Sequence, residues 1–165
     1  DMTTTAGDNE HIIEYKQVQG LELLEQIKEL FVEYAHSLSI DLEFQDFTAE
    51  LAELPGKYVP PEGFLLLVLV NGETAGMAAL RKITEDTSEM KRLYVRDNYR
   101  GLGIGRRLVE MIIEEARRIG YRSIYLDTLP EQKPAHSLYE SFGFKDIEPY
   151  VFNPVPGTRY MGLEL

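Results

Sequence analysis

One uninterrupted apolar run, Phe64–Val70 (FLLLVLV), constrains the fold of this chain more than any other feature of its sequence. The run has the length of a strand and is apolar on both faces, so it predicts a strand that is buried on both sides. Asn71-Gly72 follows at once and is typical of a tight hairpin, which predicts a return strand over residues 74–80. A sheet buried on both faces needs helices on both faces.

The remaining segments alternate between amphipathic helices and short strands. Apolar residues spaced three and four apart predict helices over residues 20–38, 47–54, 104–119 and 132–141. Further strands are predicted at residues 11–18, 89–95, 122–127, 143–151 and 160–165. A chain of 165 residues suits one domain, which we place at residues 11–165. Residues 1–10 are polar and aperiodic, so we expect them to form a disordered or tag-derived arm.

Composition and charge exclude several classes of function. The net charge of −11 disfavours binding to nucleic acid or to anionic membranes, and no apolar run approaches the roughly 20 residues that span a bilayer. With no cysteine and no metal-ligand spacing among its three histidines, the chain predicts neither disulfides nor a metal site. The lack of cysteine and of a signal-peptide pattern fits a cytoplasmic location. The acidic surface serves solubility, and it would also favour the approach of cationic molecules.

Three glycines stand in residues 99–106 (YRGLGIGR), between the strand predicted at 89–95 and the helix that follows. The first N–H groups of a helix have no partner within the helix, and glycine lets a ligand approach them closely. This arrangement predicts an anion site, best filled by a diphosphate, to which Arg100, Arg106 and Arg107 can add charge-assisted contacts. The spacing fits neither a P-loop nor the dinucleotide-binding Gly-x-Gly-x-x-Gly. A tight turn without a ligand is the structural alternative.

Three segments of the second half of the chain resemble the GNAT superfamily of acetyltransferases. RGLGIG at residues 100–105 matches the family's Arg/Gln-x-x-Gly-x-Gly/Ala motif, EMKRLYV at 89–95 is similar to its fourth strand, and LYESFGF at 138–144 resembles its Leu-Tyr-x-x-x-Gly-Phe segment. The resemblance covers residues 89–144 in the family's order. It implies an α/β (α+β) fold with a mixed, mostly antiparallel twisted sheet of about six to seven strands, helices on both faces, and the fourth and fifth strands splayed apart.

The resemblance also implies acetyl-CoA as cosubstrate, bound without a metal where the two strands splay. The pantetheine arm would pair with the backbone of the fourth strand, and the diphosphate would lie on the glycine loop. Gln132 stands where many members have an asparagine that contacts pantetheine, and its amide reaches one methylene further. The residues predicted to bind the coenzyme are Leu93, Tyr94, Val95, Arg100, Gly101, Leu102, Gly103, Ile104, Gly105, Arg106 and Gln132.

Two side chains are predicted from the resemblance to be catalytic. An alkylammonium must lose a proton before it attacks a thioester, and Glu89 matches a glutamate that some members use as the general base. A solvated strand-end carboxylate and an anchor for the substrate ammonium are the alternatives for Glu89. Tyr139 matches the tyrosine that protonates the departing thiolate, the alternative being a helix tyrosine packed in the core. The backbone N–H of Leu93 or Tyr94 would hold the oxyanion of the tetrahedral intermediate.

The acceptor is a small primary amine or an amino-acid-like molecule in this interpretation. Glu33, Asp41 and the acidic balance favour a cationic amine, whereas Arg81 and Arg159 would suit a substrate carboxylate. Residues predicted from their position to line the acceptor site are Phe31, Tyr34, Tyr150, Phe152, Asn153 and Arg159.

Two further functions and one assembly are considered. The alternative functions are a non-catalytic acyl-CoA-binding module that acts as a sensor, and a nucleotide-binding domain of Rossmann type. A homodimer is also expected, because the family is often dimeric.

Overall fold

The computed structural model describes residues 2–6 and 11–165. The strands within these residues are β1 (Met2–Ala6), β2 (His11–Gln17), β3 (Phe64–Val70), β4 (Glu73–Lys82), β5 (Thr87–Val95), β6 (Ser123–Thr128), β7 (Lys145–Asp146) and β8 (Arg159–Glu164). The α-helices are α1 (Leu24–Ser37), α2 (Phe47–Glu53), α3 (Ile104–Ile119) and α4 (Lys133–Ser141), and short 3₁₀ helices cover Leu42–Gln45 and Asp97–Tyr99.

One eight-stranded sheet has the strand order β1-β2-β3-β4-β5-β6-β8-β7. All neighbouring strands are antiparallel except β5 and β6, which run parallel. The two helices α3 and α4 cover one face of this sheet, and α1 and α2 cover the other. The prediction of a mixed, mostly antiparallel sheet with helices on both faces is confirmed, with β1 as an additional strand.

The central strand β3 shows why both faces need helices. Leu66 and Val68 pack in the core beneath α3, whereas Leu65 and Leu67 pack in the core beneath α1. All four side chains are at most 1% exposed, as the alternating directions of a doubly covered strand require. None of the helices in residues 2–6 and 11–165 combines the length and the apolar surface needed to cross a bilayer.

The parallel strands β5 and β6 separate after a short pairing. Their register joins Thr87 to Ser123 and ends at Glu89 with Tyr125, although β5 continues to Val95. On its other side, β5 is bulged against β4, and Arg92 at this bulge has a φ of 61°. Bulges bend strands and redirect side chains, so β5 turns away from β6 at this point. The expected splay between these two strands is confirmed.

Two segments differ from the sequence prediction. Met2–Ala6, expected as part of a loose arm, forms β1 and pairs along β2, as its threonine-rich sequence allows. Residues 1 and 7–10 of that predicted arm lie outside the described residues. The strand predicted over 143–151 contains regular pairing only at Lys145–Asp146. Pro149 follows shortly and has no N–H group to continue the ladder.

Candidate active site

The glycine loop leads into α3 in a conformation that exposes backbone N–H groups. Gly101 and Gly103 have φ values of 87° and 78°, and a Cβ built on either glycine would meet no protein atom within 4 Å. No side chain caps the N-terminus of α3, and its first turn contains no acidic residue. The N–H group of Arg107 is the first to bond back, to the carbonyl of Gly103 at 3.1 Å. Donors ahead of it face open space, which is the arrangement that binds an anion.

A groove of about 560 Å³ begins at this loop and follows the exposed edge of β5. We call it the coenzyme groove; its other walls come from Tyr34 of α1, from Leu38 just after α1 and from the first turns of α4. It is lined by nine of the eleven residues predicted to bind the coenzyme, namely Leu93, Tyr94, Val95, Arg100, Gly101, Gly103, Ile104, Gly105 and Gln132. The structure therefore brings most of the predicted set to one surface.

The other two predicted coenzyme residues have different neighbours. Leu102 packs against the core beneath α3. Arg106 donates a hydrogen bond to Ser141 Oγ at 3.0 Å, and its guanidinium lies 5.0 Å from the centre of the Phe142 ring. Arg106 thus joins α3 to α4, because residues at the start of a helix point to several sides of its axis.

A smaller cavity of about 50 Å³ adjoins the coenzyme groove where β5 and β6 separate. This inner cavity shares Tyr34, Leu93 and Gln132 with the groove. An outer cavity of about 400 Å³ near α2 shares Gln45 and Lys91 with the inner cavity. The inner cavity thus adjoins both of the larger spaces, and a ligand in either one can reach it.

Tyr139 lies on α4 and lines the inner cavity. Its side chain is 6% exposed and packs against Phe144. Within residues 2–6 and 11–165 its hydroxyl has no hydrogen-bond partner. Every polar side-chain atom that is fully enclosed in those residues does have a partner, so this hydroxyl is not fully enclosed and opens onto the cavity. Burial, and secondarily the nearby Tyr34 and Asp127, raise the pKa of Tyr139 above its ordinary value. The phenol is therefore protonated at neutral pH and available as a proton donor.

Glu89 occupies a different environment from the one predicted for a base. Its side chain accepts hydrogen bonds from Arg81 Nε at 2.8 Å and from the hydroxyl of Tyr150 at 2.5 Å. The residue is 2% exposed and lines none of the three cavities. Both carboxylate oxygens are thus engaged within the protein. Its role as general base stays a prediction, and the structure does not bring it together with Tyr139.

Asp127 is the carboxylate that the sequence reasoning missed. It lies near the end of β6, lines the inner cavity with Tyr139, and accepts a hydrogen bond from Asn153 Nδ2 at 3.1 Å. Burial is the main cause that raises its pKa, and the hydrogen bond from Asn153 opposes that shift. The alternation of β6 places Asp127 on the same face as Tyr125, but the end of the pairing with β5 beside Tyr125 has no signature in the sequence.

Comparison with known proteins supplies the family. The sequence profile of the Acetyltransferase (GNAT) family matches residues 24–144. An uncharacterized N-acetyltransferase of Schizosaccharomyces pombe is 44% identical over 144 residues, which are 86% of this chain and 88% of the relative. The chain belongs to the GNAT family of acetyltransferases.

Two other proteins extend this comparison. N-acetylaspartate synthetase of Xenopus tropicalis is 35% identical over 117 residues, which are 70% of this acetyltransferase but only 43% of that protein. The crystal structure of the PaiA N-acetyltransferase from Thermoplasma acidophilum in complex with coenzyme A has a TM-score of 0.71 at 18% identity, covering 93% of this chain and 99% of that chain. The structural likeness shows that this acetyltransferase has the GNAT fold.

The residues predicted to line the acceptor site are dispersed in this acetyltransferase. Tyr34 lines both the coenzyme groove and the inner cavity, and Asn153 lines the inner cavity. Phe31 is instead fully buried between Phe47 and Tyr58, because it lies on the core side of α1.

The other three predicted acceptor residues also lie outside the cavities. Tyr150 binds Glu89, as described above, and Phe152 is 73% exposed with its ring against Phe44. Arg159 forms two hydrogen bonds of 3.0 Å with Asp146, because β7 and β8 pair there. The structure therefore does not bring Phe31, Tyr150, Phe152 or Arg159 to the cavity that holds Tyr139.

Charged side chains of β5 complete the wall of the inner cavity. Arg92 is 5% exposed and pairs with Glu50 of α2, with N···O distances of 3.1 and 2.7 Å. Burial alone would raise the pKa of Glu50, but its hydrogen bonds and ion pair with Arg92 lower it overall. The neighbouring Lys91 also lines the cavity. In the part of the chain that the structure describes, no group of three or more acidic or histidine side chains is placed to hold a metal ion.

Proposed function

We propose that this protein transfers an acetyl group from acetyl-CoA to the primary amine of a small acceptor, by direct attack while both substrates are bound. The observation that carries the proposal is the junction of two spaces. The coenzyme groove, with its exposed N–H groups, meets the inner cavity, which presents Tyr139 and Asp127. A thioester held in the groove and an amine held in the cavity would meet at this junction.

The residues of the groove fit the coenzyme. The open space in front of Gly101 and Gly103 leaves room for a diphosphate against the N-terminus of α3. Residues 93–95 of β5 lie beyond its pairing with β6, so their backbone can pair with the amides of pantetheine. Gln132 Oε1 accepts hydrogen bonds from Leu129 N–H and the Thr128 hydroxyl, which leaves its Nε2 group for a pantetheine carbonyl.

The side chains of the inner cavity can move the two protons that the reaction requires. Asp127 accepts a proton from the acceptor's ammonium group, directly or through water, and the free amine attacks the thioester carbonyl carbon. As the nitrogen–carbon bond forms and the carbon–sulfur bond breaks, Tyr139 donates its phenolic proton to the departing thiolate. The raised pKa of the Asp127 carboxyl group is closer to the pKa of an amine, and it makes Asp127 a stronger base than an exposed aspartate.

The experiment compares Asp127→Asn with Glu89→Gln in an assay of free thiol released from acetyl-CoA with a panel of primary amines. We expect Asp127→Asn to lower kcat/KM by about 10²- to 10⁴-fold. The activity of the wild type should fall as the pH drops through the raised pKa of Asp127, and this acid limb should disappear in Asp127→Asn. If Glu89→Gln removes both activity and acid limb while Asp127→Asn keeps them, the base is Glu89.

A non-catalytic acyl-CoA-binding module is the competing function. Tight binding of acetyl-CoA, measured by calorimetry, without thiol release on any amine of the panel would support it. Tyr139 argues against that function. Its hydroxyl has no hydrogen-bond partner within the described residues and lines the cavity, so a purely structural role does not require it.

Two finer expectations concern the setting of the enzyme. The absence of cysteine supports a cytoplasmic location, and the resemblance to a family that is often dimeric supports a homodimer. Sedimentation analysis of the purified protein tests the second expectation.

A further inference from the structure

Lys91 lies in the wall of the inner cavity and forms no salt bridge within the described residues. It lies on β5 and lines both the inner and the outer cavity. Among the contacts described for residues 2–6 and 11–165, its Nζ makes one hydrogen bond, to the neutral Oε1 of Gln45 at 3.4 Å. That distance is near the limit of a hydrogen bond, so the bond is weak. The ammonium group retains donors that a ligand in either cavity can use.

Two arginines near these cavities, Arg92 and Arg81, are neutralised by the protein. Arg92 forms its bidentate pair with Glu50, and Arg81 forms its ion pair with Glu89. Burial, and secondarily Arg92, lower the pKa of Lys91 below its ordinary value, although the charges of Glu89 and Glu50 oppose the shift. A bound anion would relieve this unfavourable environment.

Asp127 stands in the same inner cavity with the opposite charge. No ion pair joins Asp127 to Lys91 among the described residues, and the partner of Asp127 is the neutral amide of Asn153. A cavity of about 50 Å³ therefore presents a carboxylate and an ammonium that do not contact each other. A zwitterion placed between them would direct its ammonium group to Asp127 and its anionic group to Lys91.

We propose that the acceptors are amino acids with a free carboxylate, and that Lys91 binds this carboxylate while Asp127 receives the amine. The inference rests on the proposed acetyl transfer and adds the class of acceptor. Of the two acceptor classes that the sequence left open, it selects the amino-acid-like one, because a polyamine would bring a second positive charge to Lys91. Lys91 acts as a specificity residue, whereas Tyr139 and Asp127 carry the chemistry.

The test measures kcat/KM for a panel of L-amino acids and for the α-amide of each, which has nearly the same shape without the negative charge. Wild-type protein should prefer the acids. Lys91→Met should lower kcat/KM for the acids by about 10- to 100-fold, mainly through KM, and should leave the amides within about 3-fold. Lys91→Arg should retain the preference for acids. Lys145→Met is the matched control, because Lys145 is exposed on β7 and lines none of the three cavities.

Two results would overturn the inference: an equal loss for acids and amides in Lys91→Met, or a wild-type preference for amides or diamines. Failure of the proposed function gives a different pattern, namely no thiol release with any amine. In that case, calorimetric titration of the CoA-loaded protein with the same acids and amides decides about Lys91. If the wild-type protein binds the acids and Lys91→Met abolishes this binding, the inference is supported. If the wild-type protein binds none of the acids, the inference is refuted.

Discussion

The coenzyme groove and the inner cavity are built in different ways. The groove depends on the backbone of one nearly continuous stretch, from Leu93 to Gly105, that ends a strand and begins a helix. The inner cavity depends on side chains from separate parts of the chain, such as Tyr34, Asp127 and Tyr139. A backbone site accepts many side chains but few φ values, whereas a side-chain site depends on the chemical groups that its residues carry.

This difference separates two kinds of function in the enzyme. Backbone donors recognise a feature that every acyl-CoA shares, the diphosphate and the pantetheine amides. Side chains of the inner cavity recognise what varies, which is the acceptor. Substitutions in the two regions should therefore have separable effects on coenzyme affinity and on chemistry.

The largest separation is expected for Tyr139→Phe. Removing the phenolic proton should lower kcat by about 10²- to 10⁴-fold, because the thiolate would then leave without an acid. The affinity for acetyl-CoA should stay within about 3-fold, because the hydroxyl opens onto the inner cavity rather than the groove. Steady-state kinetics and calorimetric titration measure the two quantities. Unchanged kcat would show that Tyr139 only packs α4 against the core.

A second large effect concerns the stability of the inner cavity's wall. Arg92→Gln leaves the mostly buried Glu50 with Tyr58 as a hydrogen-bond donor but without its cation, and we expect a loss of about 2–4 kcal/mol in the free energy of unfolding. Arg118→Gln is the control, because Arg118 is 66% exposed and its pair with Glu115 should contribute less than about 1 kcal/mol. Urea unfolding of both variants measures the difference. Equal losses would contradict the idea that ion pairs hold this wall.

The two regions also differ in how well the sequence predicted them. Most residues predicted in the glycine loop line the coenzyme groove, Leu102 and Arg106 excepted, because the positive φ values of Gly101 and Gly103 restrict residue choice and so leave a motif. The inner cavity was predicted only in part. Tyr34 and Tyr139 line it, whereas Asp127 and Lys91 were missed and Glu89 was assigned a role for which its partners leave little room.

The physical reason lies in how distant elements meet. Asp127 faces the inner cavity, whereas Glu89 faces Arg81. Which carboxylate takes which position depends on the register of β5 and β6 and on the bulge at Arg92. Neither feature has a signature in the local sequence pattern. The fold was more accessible, because Phe64–Val70 is apolar on both faces and required helices on both sides of the sheet.

A smaller effect tests the backbone nature of the coenzyme groove. Gly103→Ala and Gly72→Ala each place a side chain at a left-handed glycine with no protein atom within 4 Å, so both should destabilise the fold by a similar amount, about 1–2 kcal/mol. Only Gly103→Ala adds a methyl group where the diphosphate would lie. We expect its dissociation constant for acetyl-CoA to rise about 10-fold and that of Gly72→Ala to stay unchanged. Equal affinities in the two variants would refute the proposed position of the diphosphate.

The smallest effect concerns the connection between the two regions. Glu33 of α1 accepts hydrogen bonds of 2.9 Å from Arg96 and from Tyr94, whose side chain lines the groove. The hydrogen bond from Arg96 is the main cause that lowers the pKa of Glu33. Because its pKa is lower in the folded state, ionised Glu33 stabilises the fold. This contribution to the free energy of unfolding is complete above the unfolded pKa of about 4.3 and is lost as the pH falls through the folded pKa.

Because the side chain of Glu33 is 38% exposed, its contribution should stay below about 1 kcal/mol. We therefore expect Glu33→Gln to lower Tm slightly at pH 7 and to approach wild-type protein as the pH is lowered to 3, with little change in acetyl-CoA affinity. Thermal unfolding at the two pH values measures this. A Tm difference that persists at pH 3 would show that Glu33 joins α1 to β5 by packing rather than by charge, and the two regions would then be less independent than their construction suggests.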